Sequence, residues 1–430
     1  MTVAAVSLLP DYDELKDRAR KIKEESIASL PALLKQLEAS VRANGGHFYH
    51  APTAAEANNY IRDVLVQHEA KLIVKGKSIT SEETKLNQVL EEAGIEVAET
   101  DFGEFIIQLA GERPSHLVAP AVHHTRESVA RVLSQHLGQN LPDDPKALAK
   151  TGRRVLREKF RRADLGITGA NFAIAETGSI VLVTNEGNGR LTTTWPRVHI
   201  ALMGIEKVLP RLTDLPVFLK LLARAATGQT LSVYTTMITG PRQPGEIDGP
   251  EEFHLVLLDN GRSKVLATPF RESLQCIRCG ACLNACPVYR RIGGHAYGGV
   301  YSGPIGSILT PLYDSVSENL HLPHASSLCG ACQSACPVKI NIPHMLIGLR
   351  ELQHQHKPSR LERWAYQLWS KVLCRPRLYQ WVLAAARLLL RARARKGWLS
   401  HLPGPGGNWT KNRDFPAPAA QSFRDRWKEL

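Results

Sequence analysis

Seven of the eight cysteines lie in two short runs. The first run reads C-x2-C-x2-C-x3-C-P and the second reads C-x2-C-x3-C-P: Cys276, Cys279, Cys282, Cys286 and Pro287, then Cys329, Cys332, Cys336 and Pro337. Tight C-x-x-C turns bring three thiolates to one corner of an iron–sulfur cubane, and this spacing is typical of [4Fe–4S] ligation. Zinc is the alternative, since paired C-x-x-C turns also bind zinc, but the uninterrupted four-cysteine run followed by proline argues against it.

The two runs superimpose as an internal repeat. In two-cluster proteins with this pattern, the last cysteine of a run ligates the other cluster. The expected assignment is therefore crossed. The first cluster takes Cys276, Cys279, Cys282 and Cys336, and the second takes Cys286, Cys329 and Cys332.

The second cluster lacks one standard ligand, because Ser326 stands at the position that matches Cys276. Three interpretations stay open: a labile or absent fourth iron, a non-cysteine ligand such as Ser326, or recruitment of Cys374. We favour a second [4Fe–4S] cluster with an unusual fourth ligand.

The chain has 430 residues, enough for two or three domains with a large core. Its cysteine usage does not fit a secreted disulfide framework, and iron-binding thiols suggest the cytoplasm. We see no signal peptide in residues 1–10 and no run of about 20 apolar residues that could span a membrane.

Most of the net charge of +13 lies in the C-terminal region. Residues 350–430 contain 17 Lys and Arg against 5 Asp and Glu, a difference of +12, together with six of the seven Trp. Such a region suits an acidic partner, an anionic membrane surface or nucleic acid. It has no recognisable nucleic-acid motif, so no nucleic acid is expected. A peripheral contact with the inner face of the membrane, or with a quinone, is kept open.

Alternating strands and helices between residues 46 and 262 predict an α/β domain with a mostly parallel sheet. Strands are predicted at residues 47–50, 71–74, 95–99, 115–119, 180–184, 198–203, 231–239 and 254–258. One helix is predicted over 11–44, polar loops over 164–171 and 185–190, and an irregular segment over 290–311. The predicted domains are 1–45 (helical), 46–262 (α/β), 263–343 (two clusters) and 344–430 (basic and helical).

Polar side chains in these loops suggest a site for an anion such as a carboxylate or phosphate. Free backbone N–H groups next to short polar residues attract anions, and Lys or Arg adds charge. The candidate residues are Lys77, Thr168, Asn171, Glu176 and Arg190. The alternative is that these segments are simply tight turns. The chain has no G-x-G-x-x-G or Walker pattern, so no dinucleotide or nucleotide fingerprint is present.

Several motifs together resemble the iron–sulfur subunit of the bacterial L-lactate utilisation system. They are Gly76-Lys77-Ser78 before Ser81-Glu82-Glu83, the Gly166-Ile167-Thr168-Gly169-Ala170-Asn171 segment, Ala175-Glu176-Thr177-Gly178-Ser179, and the block from Cys276 to Pro337. The resemblance covers essentially the whole chain, and it implies that the gap at Ser326 is usual for this family. It implies a sheet like that of CoA-transferases and ribose-5-phosphate isomerase, followed by a helical ferredoxin-like segment.

The resemblance also implies a function. It points to a complex that oxidises L-lactate to pyruvate, with two partners. One is a Cys-rich subunit like those of glycolate oxidase, and the other is a smaller protein with the same lactate-utilisation domain. A related alternative is electron transfer for another 2-hydroxy acid such as glycolate. A different class is an isomerase or CoA-transferase with structural clusters, for which Glu176 would be the nucleophile or base.

Overall fold

Short runs of mostly apolar residues form the central strands Leu72–Lys75, Leu165–Thr168 and Val198–Gly204, which are buried along their whole length, as parallel sheets between helices require. The computed structural model describes residues 2–315, 317–356 and 360–428. The strands are β1 (His47–Ala51), β2 (Leu72–Lys75), β3 (Glu96–Glu99), β4 (Leu165–Thr168), β5 (Phe172–Ile174), β6 (Ser179–Thr184), β7 (Val198–Gly204), β8 (Val208–Leu209), β9 (Tyr234–Ile238), β10 (Glu252–Leu258), β11 (Trp398–Leu399) and β12 (Phe415–Pro416).

Helices connect and cover these strands. They are α1 (Thr2–Ser7), α2 (Tyr12–Ala28), α3 (Leu30–Ala43), α4 (Ala54–Gln67), α5 (Ile79–Glu83), α6 (Leu86–Glu92), α7 (Phe102–Ala110), α8 (Arg126–Leu137), α9 (Pro145–Arg162), α10 (Asn188–Thr194), α11 (Leu215–Thr227), α12 (Arg262–Leu266), α13 (Ala281–Ala285), α14 (Tyr289–Ile292), α15 (Gly303–Tyr313), α16 (Ala331–Ser334), α17 (Ile342–His356), α18 (Arg360–Leu373), α19 (Pro376–Arg393) and α20 (Phe423–Trp427).

Six strands form one parallel sheet in the order β1-β10-β7-β4-β2-β3. The predicted α/β class with a parallel sheet is therefore confirmed. Parallel strands end at the same edge, where ligands of open α/β sheets usually bind. The register places Lys75, the last residue of β2, beside Glu99, the last residue of β3.

A second sheet of four strands, in the order β8-β5-β6-β9, was not expected from the sequence. Its β5 and β6 form an antiparallel hairpin that turns at Gly178, which has φ +72°. A side chain at this position would also meet the backbone of Ser40 in α3, with a Cβ only 2.7 Å from its carbonyl carbon. Glycine is therefore required there for both conformation and packing.

Four predicted elements were wrong in detail. Residues 165–168, read as a loop, form the central strand β4, and residues 115–119, read as a strand, form a loop in which Ser115 N–H donates to Pro120 O at 3.0 Å. The single helix predicted over 11–44 is two helices, because Pro31 lies at the start of α3. The segment 290–311 contains most of α14 and most of α15 rather than irregular chain alone.

The cysteine segment shares a hydrophobic core with the α/β domain. The buried cysteines pack in one cluster with Phe172, Phe218 and Ile22, which come from the second sheet, α11 and α2. The helical character predicted for the cluster segment is confirmed by α13 to α17. Residues 1–353 form one compact unit and residues 354–430 form another. The predicted domain boundaries stay predictions.

The C-terminal unit contains α18, α19, the small β11–β12 sheet and α20. Helices α18 and α19 pack against each other and expose large aromatic side chains, including Trp364, Trp369 and Trp381. Among the described residues, no helix combines the length and apolarity needed to cross a bilayer.

Candidate metal centre

The two cysteine runs adopt the same local conformation. Cys279 of the first run matches Cys329 of the second. The residues directly before them, Arg278 and Leu328, have φ +59° and +56°. Gly280 and Gly330, which follow these cysteines, have φ +74° and +80° and precede the short helices α13 and α16. The internal repeat read from the sequence is thus a repeat of backbone geometry.

Helix α13 packs against α16, and this contact brings the two runs together. One cavity is lined by Cys276, Cys279, Cys282 and Cys336, so a cysteine of the second run joins three of the first. These are the four residues that the sequence assigns to the first cluster. That they hold iron stays a prediction.

The thiols of this cavity lie in surroundings where they need a nearby cation in order to ionise. Burial, with the neighbouring Cys336 and Cys276, raises the pKa of Cys279. Burial also raises the pKa of Cys336 to about 12. Several buried thiolates repel each other, so they ionise together only around a positively charged group. The ferric and ferrous ions of a cluster supply such a charge.

Backbone N–H groups point at these sulfurs. Arg278 N–H donates to Cys276 Sγ at 3.4 Å, and Ile340 N–H donates to Cys336 Sγ at 3.4 Å. In the other group, Tyr289 N–H donates to Cys286 Sγ at 3.5 Å. Donors to the sulfurs stabilise thiolate charge and tune the reduction potential of an iron–sulfur centre.

The remaining three cysteines lie close to one another. Burial, then Cys286 and Cys329, raise the pKa of Cys332 to about 11. Cys286 and Cys332 are buried, whereas Cys329 is exposed. Cys374 is exposed and belongs to the C-terminal unit.

Buried donors near both groups fit iron–sulfur clusters. The Tyr297 hydroxyl has no hydrogen-bond partner among the described residues, and its pKa is raised by burial and by the nearby Cys286 and Cys282. Two donors of Arg278, Nε and Nη1, are also buried and lack partners in the described part of the chain. Since buried donors are nearly always paired, acceptors such as cluster sulfurs would complete both sites.

A buried network of charges links the cluster segment to the α/β domain. The carboxylate of Glu206 accepts from Arg262 Nε at 2.6 Å and from Arg278 Nη2 at 3.0 Å. Arg262 also donates to Glu83 at 2.8 and 2.9 Å, and Tyr301 donates to the same carboxylate at 2.5 Å. Each guanidinium lies over a tyrosine ring of the cluster segment, at 4.5 and 4.8 Å.

A cavity of about 910 Å³ lies between α5 to α7 of the α/β domain and residues 298–314 of the cluster segment. Lys75 lies behind its wall, with Nζ 2.7 Å from Glu99 and 2.9 Å from Ser81. Burial, with the nearby charge of Glu99, raises the pKa of Glu104 to about 8. The cavity wall thus carries a carboxyl group whose surroundings favour its protonated form.

Of the five residues predicted to bind an anion, Lys77 lines this cavity. It is half-buried, donates to Val118 O, and has a pKa that burial lowers. The other four are not among the lining residues, and three of them bond within the protein. Thr168 contacts His199 at 2.8 Å, Asn171 accepts from Val183 N–H at 2.8 Å, and Glu176 accepts from Leu212 N–H at 2.9 Å.

Arg190 is exposed on α10, where its carbonyl accepts from Thr193 and Thr194. The structure therefore does not bring the five residues to one cavity, and their binding of an anion stays a prediction. Sequence reasoning missed Lys75, Glu99 and Glu104. The signal was available, since Lys75 directly follows the predicted strand 71–74 and Glu99 ends the predicted strand 95–99, both at the ligand-binding edge of the sheet.

Comparisons with known proteins agree with this organisation. The LUD domain family model matches residues 34–258, the 4Fe-4S dicluster domain model matches 272–340, and the model "Lactate utilisation protein B, C-terminal" matches 348–430. A solved duf162 family protein from Deinococcus radiodurans aligns with 54% of this chain and 98% of its own length, at 16% identity and a TM-score of 0.31, which is too low to support an argument.

Three curated relatives are each called lactate utilization protein B. The relative from Bacillus velezensis is 46% identical over 428 residues, 99% of this chain and 90% of that protein. The relative from Bacillus pumilus is 46% identical over 99% of this chain and 91% of its own length, and that from Bacillus subtilis is 45% identical over 98% and 88%. With matches of this extent, and with two cysteine runs folded against each other after a LUD domain, the chain belongs to the lactate utilization protein B family.

Proposed function

We propose that this chain is the iron–sulfur, electron-transferring subunit of a complex that oxidises L-lactate to pyruvate. The observation that carries the proposal is the crossed arrangement of cysteines, in which Cys336 joins Cys276, Cys279 and Cys282 around one cavity. The name of the relatives supports lactate as the substrate. A [4Fe–4S] cluster, when bound, accepts and releases one electron at a time.

The residues of this chain would hold two clusters and control their surroundings. Four thiolates would hold the first, and Cys286, Cys329 and Cys332 would hold the second beside a non-standard ligand. The hydrophobic core around α2 and α11 excludes water from the buried cysteines. Lactate oxidation releases two electrons and two protons, so two one-electron centres match its electron count.

The cavity between the α/β domain and the cluster segment would hold the substrate, a small hydroxy acid. Lys77 would bind a carboxylate there, and Glu104 would hold a proton on the same wall. The proposed partners are a Cys-rich subunit like those of glycolate oxidase and a smaller protein with a LUD domain. A cytoplasmic location, with contact to the inner face of the membrane or a quinone, belongs to the same proposal.

Two experiments test this function. Deletion of the gene is expected to abolish growth on L-lactate, and unimpaired growth would contradict the proposal. Anaerobically purified protein, mixed with both proposed partners and L-lactate, is expected to show bleaching of the iron–sulfur absorbance. Clusters that stay oxidised in this mixture would favour a structural role.

A further inference from the structure

Ser326 occupies the same place in its turn as Cys276 does in the first run. Arg278 N–H donates to Cys276 Sγ at 3.4 Å, and Leu328 N–H donates to Ser326 Oγ at 3.1 Å. In both turns the donor residue has a left-handed backbone, with φ +59° and +56°. The serine oxygen therefore has the same orientation in its turn as the cysteine sulfur has in the first turn, since the equivalent backbone N–H, two residues later, donates to each.

The backbone of Ser326 is anchored from outside its own turn. Arg350 of α17 donates from Nη2 to Ser326 O at 3.0 Å and from Nε to Pro323 O at 3.0 Å. Pro323 itself is buried. A ligand must be held at a fixed position, and this clamp holds Ser326 there without using its hydroxyl.

Ser327 and Cys374 are the alternative candidates for the fourth ligand. Ser327 is exposed and matches Ile277, one position out of register with the ligand. Its hydroxyl already bonds Cys329. Cys374 is exposed in the C-terminal unit.

We propose that Ser326 Oγ, as an alkoxide, is the fourth ligand of the second cluster. This inference rests on the proposed second cluster in the group of Cys286, Cys329 and Cys332. Formation of the Fe–O bond releases the hydroxyl proton to solvent, which reaches the half-buried serine. Oxygen is a harder donor than sulfur and stabilises the ferric state, so the second cluster should have a lower reduction potential than an all-thiolate one.

The test compares Ser326→Ala and Ser326→Cys in the full-length chain, purified without oxygen. Wild-type protein is expected to contain about eight irons. Ser326→Ala is expected to lose about one iron and to show the EPR signal of an oxidised [3Fe–4S] cluster. Ser326→Cys is expected to keep about eight irons and to shift one of the two midpoint potentials upward.

Cys374→Ala is the matched control and is expected to leave iron content, EPR spectrum and both potentials unchanged. The inference is overturned if Ser326→Ala leaves the iron content, the EPR spectrum and both potentials unchanged. It is also overturned if wild-type protein already shows the [3Fe–4S] signal, or if Cys374→Ala loses about one iron. If the proposal of two clusters is itself wrong, the result differs from these outcomes, because wild-type protein would then contain zinc, or a single cluster of about four irons.

Discussion

The guanidinium of Arg278 donates to the carboxylate of Glu206 at 3.0 Å, and both side chains are buried. Arg278 lies between the first two cysteines, whereas Glu206 follows β7 in the α/β domain. The same carboxylate pairs with Arg262 at 2.6 Å. One buried anion therefore joins two cations and ties the loop of the first cluster to the α/β domain.

Removal of this anion should destabilise the fold. Burial alone would raise the pKa of Glu206, but Arg262 and Arg278 outweigh it and lower the pKa to about 2. Its stabilising contribution is present above the ordinary value of 4.5 and is lost as the pH falls toward 2. We expect Glu206→Gln to lower the free energy of unfolding by about 3–5 kcal/mol in anaerobic urea denaturation at pH 7.

A surface pair provides the control for this change. Glu251 bonds Arg197 and Arg242, all exposed. Glu251→Gln should change the unfolding midpoint little, because solvent screens such pairs. Equal effects of Glu206→Gln and Glu251→Gln would refute a structural role for the buried network.

Glu104 should make stability depend on pH in the opposite direction. Its pKa is raised from 4.5 to about 8 by burial and by Glu99. The folded state therefore keeps a proton that the unfolded chain loses, so the contribution of Glu104 to stability is fully present below about pH 4.5 and is lost as the pH rises to about 8. Glu104→Gln should remove this fall in urea unfolding midpoints measured between about pH 5 and 8. Glu91→Gln, an exposed residue of the same cavity, should keep it.

The crossed ligation can be tested with one cysteine from each run. Cys336→Ala should damage the first cluster although it lies in the second run, and Cys286→Ala should damage the second cluster although it lies in the first. Low-temperature EPR of each reduced protein should show which signal is lost. Loss of the same cluster in Cys286→Ala and Cys279→Ala would show that the ligands are not crossed.

The paired glycines of the two turns should differ in their tolerance of a side chain. Both have positive φ, so an alanine at either should cost about 1 kcal/mol in backbone strain. At Gly280 a Cβ would also lie 3.2 Å from Val118 and 3.3 Å from His116, whereas at Gly330 it would meet nothing within 4 Å. Gly280→Ala should therefore lower the unfolding midpoint more than Gly330→Ala, and the reverse order would contradict this packing.

Lys77 should contribute to substrate binding if the cavity takes a carboxylate. Loss of one charge-assisted hydrogen bond removes about 1.5–3 kcal/mol, so Lys77→Met should weaken L-lactate binding by about tenfold to hundredfold. Isothermal titration of the full chain, with its partners present, measures this change. Arg153→Met, at an exposed residue of α9 that does not line the cavity, is the control and should leave the affinity unchanged.

Local spacing in the sequence was enough to predict the chemistry. The cysteine runs, their repeat and the serine at 326 follow from residues close together in the chain, because C-x-x-C turns are set by local backbone geometry. The buried strands β2, β7 and β10 were likewise predicted from continuous apolar runs. No local sequence pattern indicates which residues of the LUD domain contact the cysteines.

A glycine accounts for one wrong prediction of secondary structure. Gly166 was read as part of a loop, yet it lies in the central strand β4, where a Cβ would come 2.0 Å from Thr192 O. The glycine is needed because α10 packs directly on the strand, and that contact exists only in the folded chain.

The ion network was decided by tertiary structure alone. Glu206 and Arg278 are 72 residues apart, and neither the spacing nor the residue types of such a pair predict contact. The perturbed pKa values of Lys75 and Glu104 likewise follow from packing. Burial lowers the pKa of Lys75, but the nearby Glu99 and Glu82 outweigh it and raise the pKa, whereas burial raises the pKa of Glu104. The sequence by itself therefore predicts which groups bind iron, whereas packing determined which charges and cavities surround them.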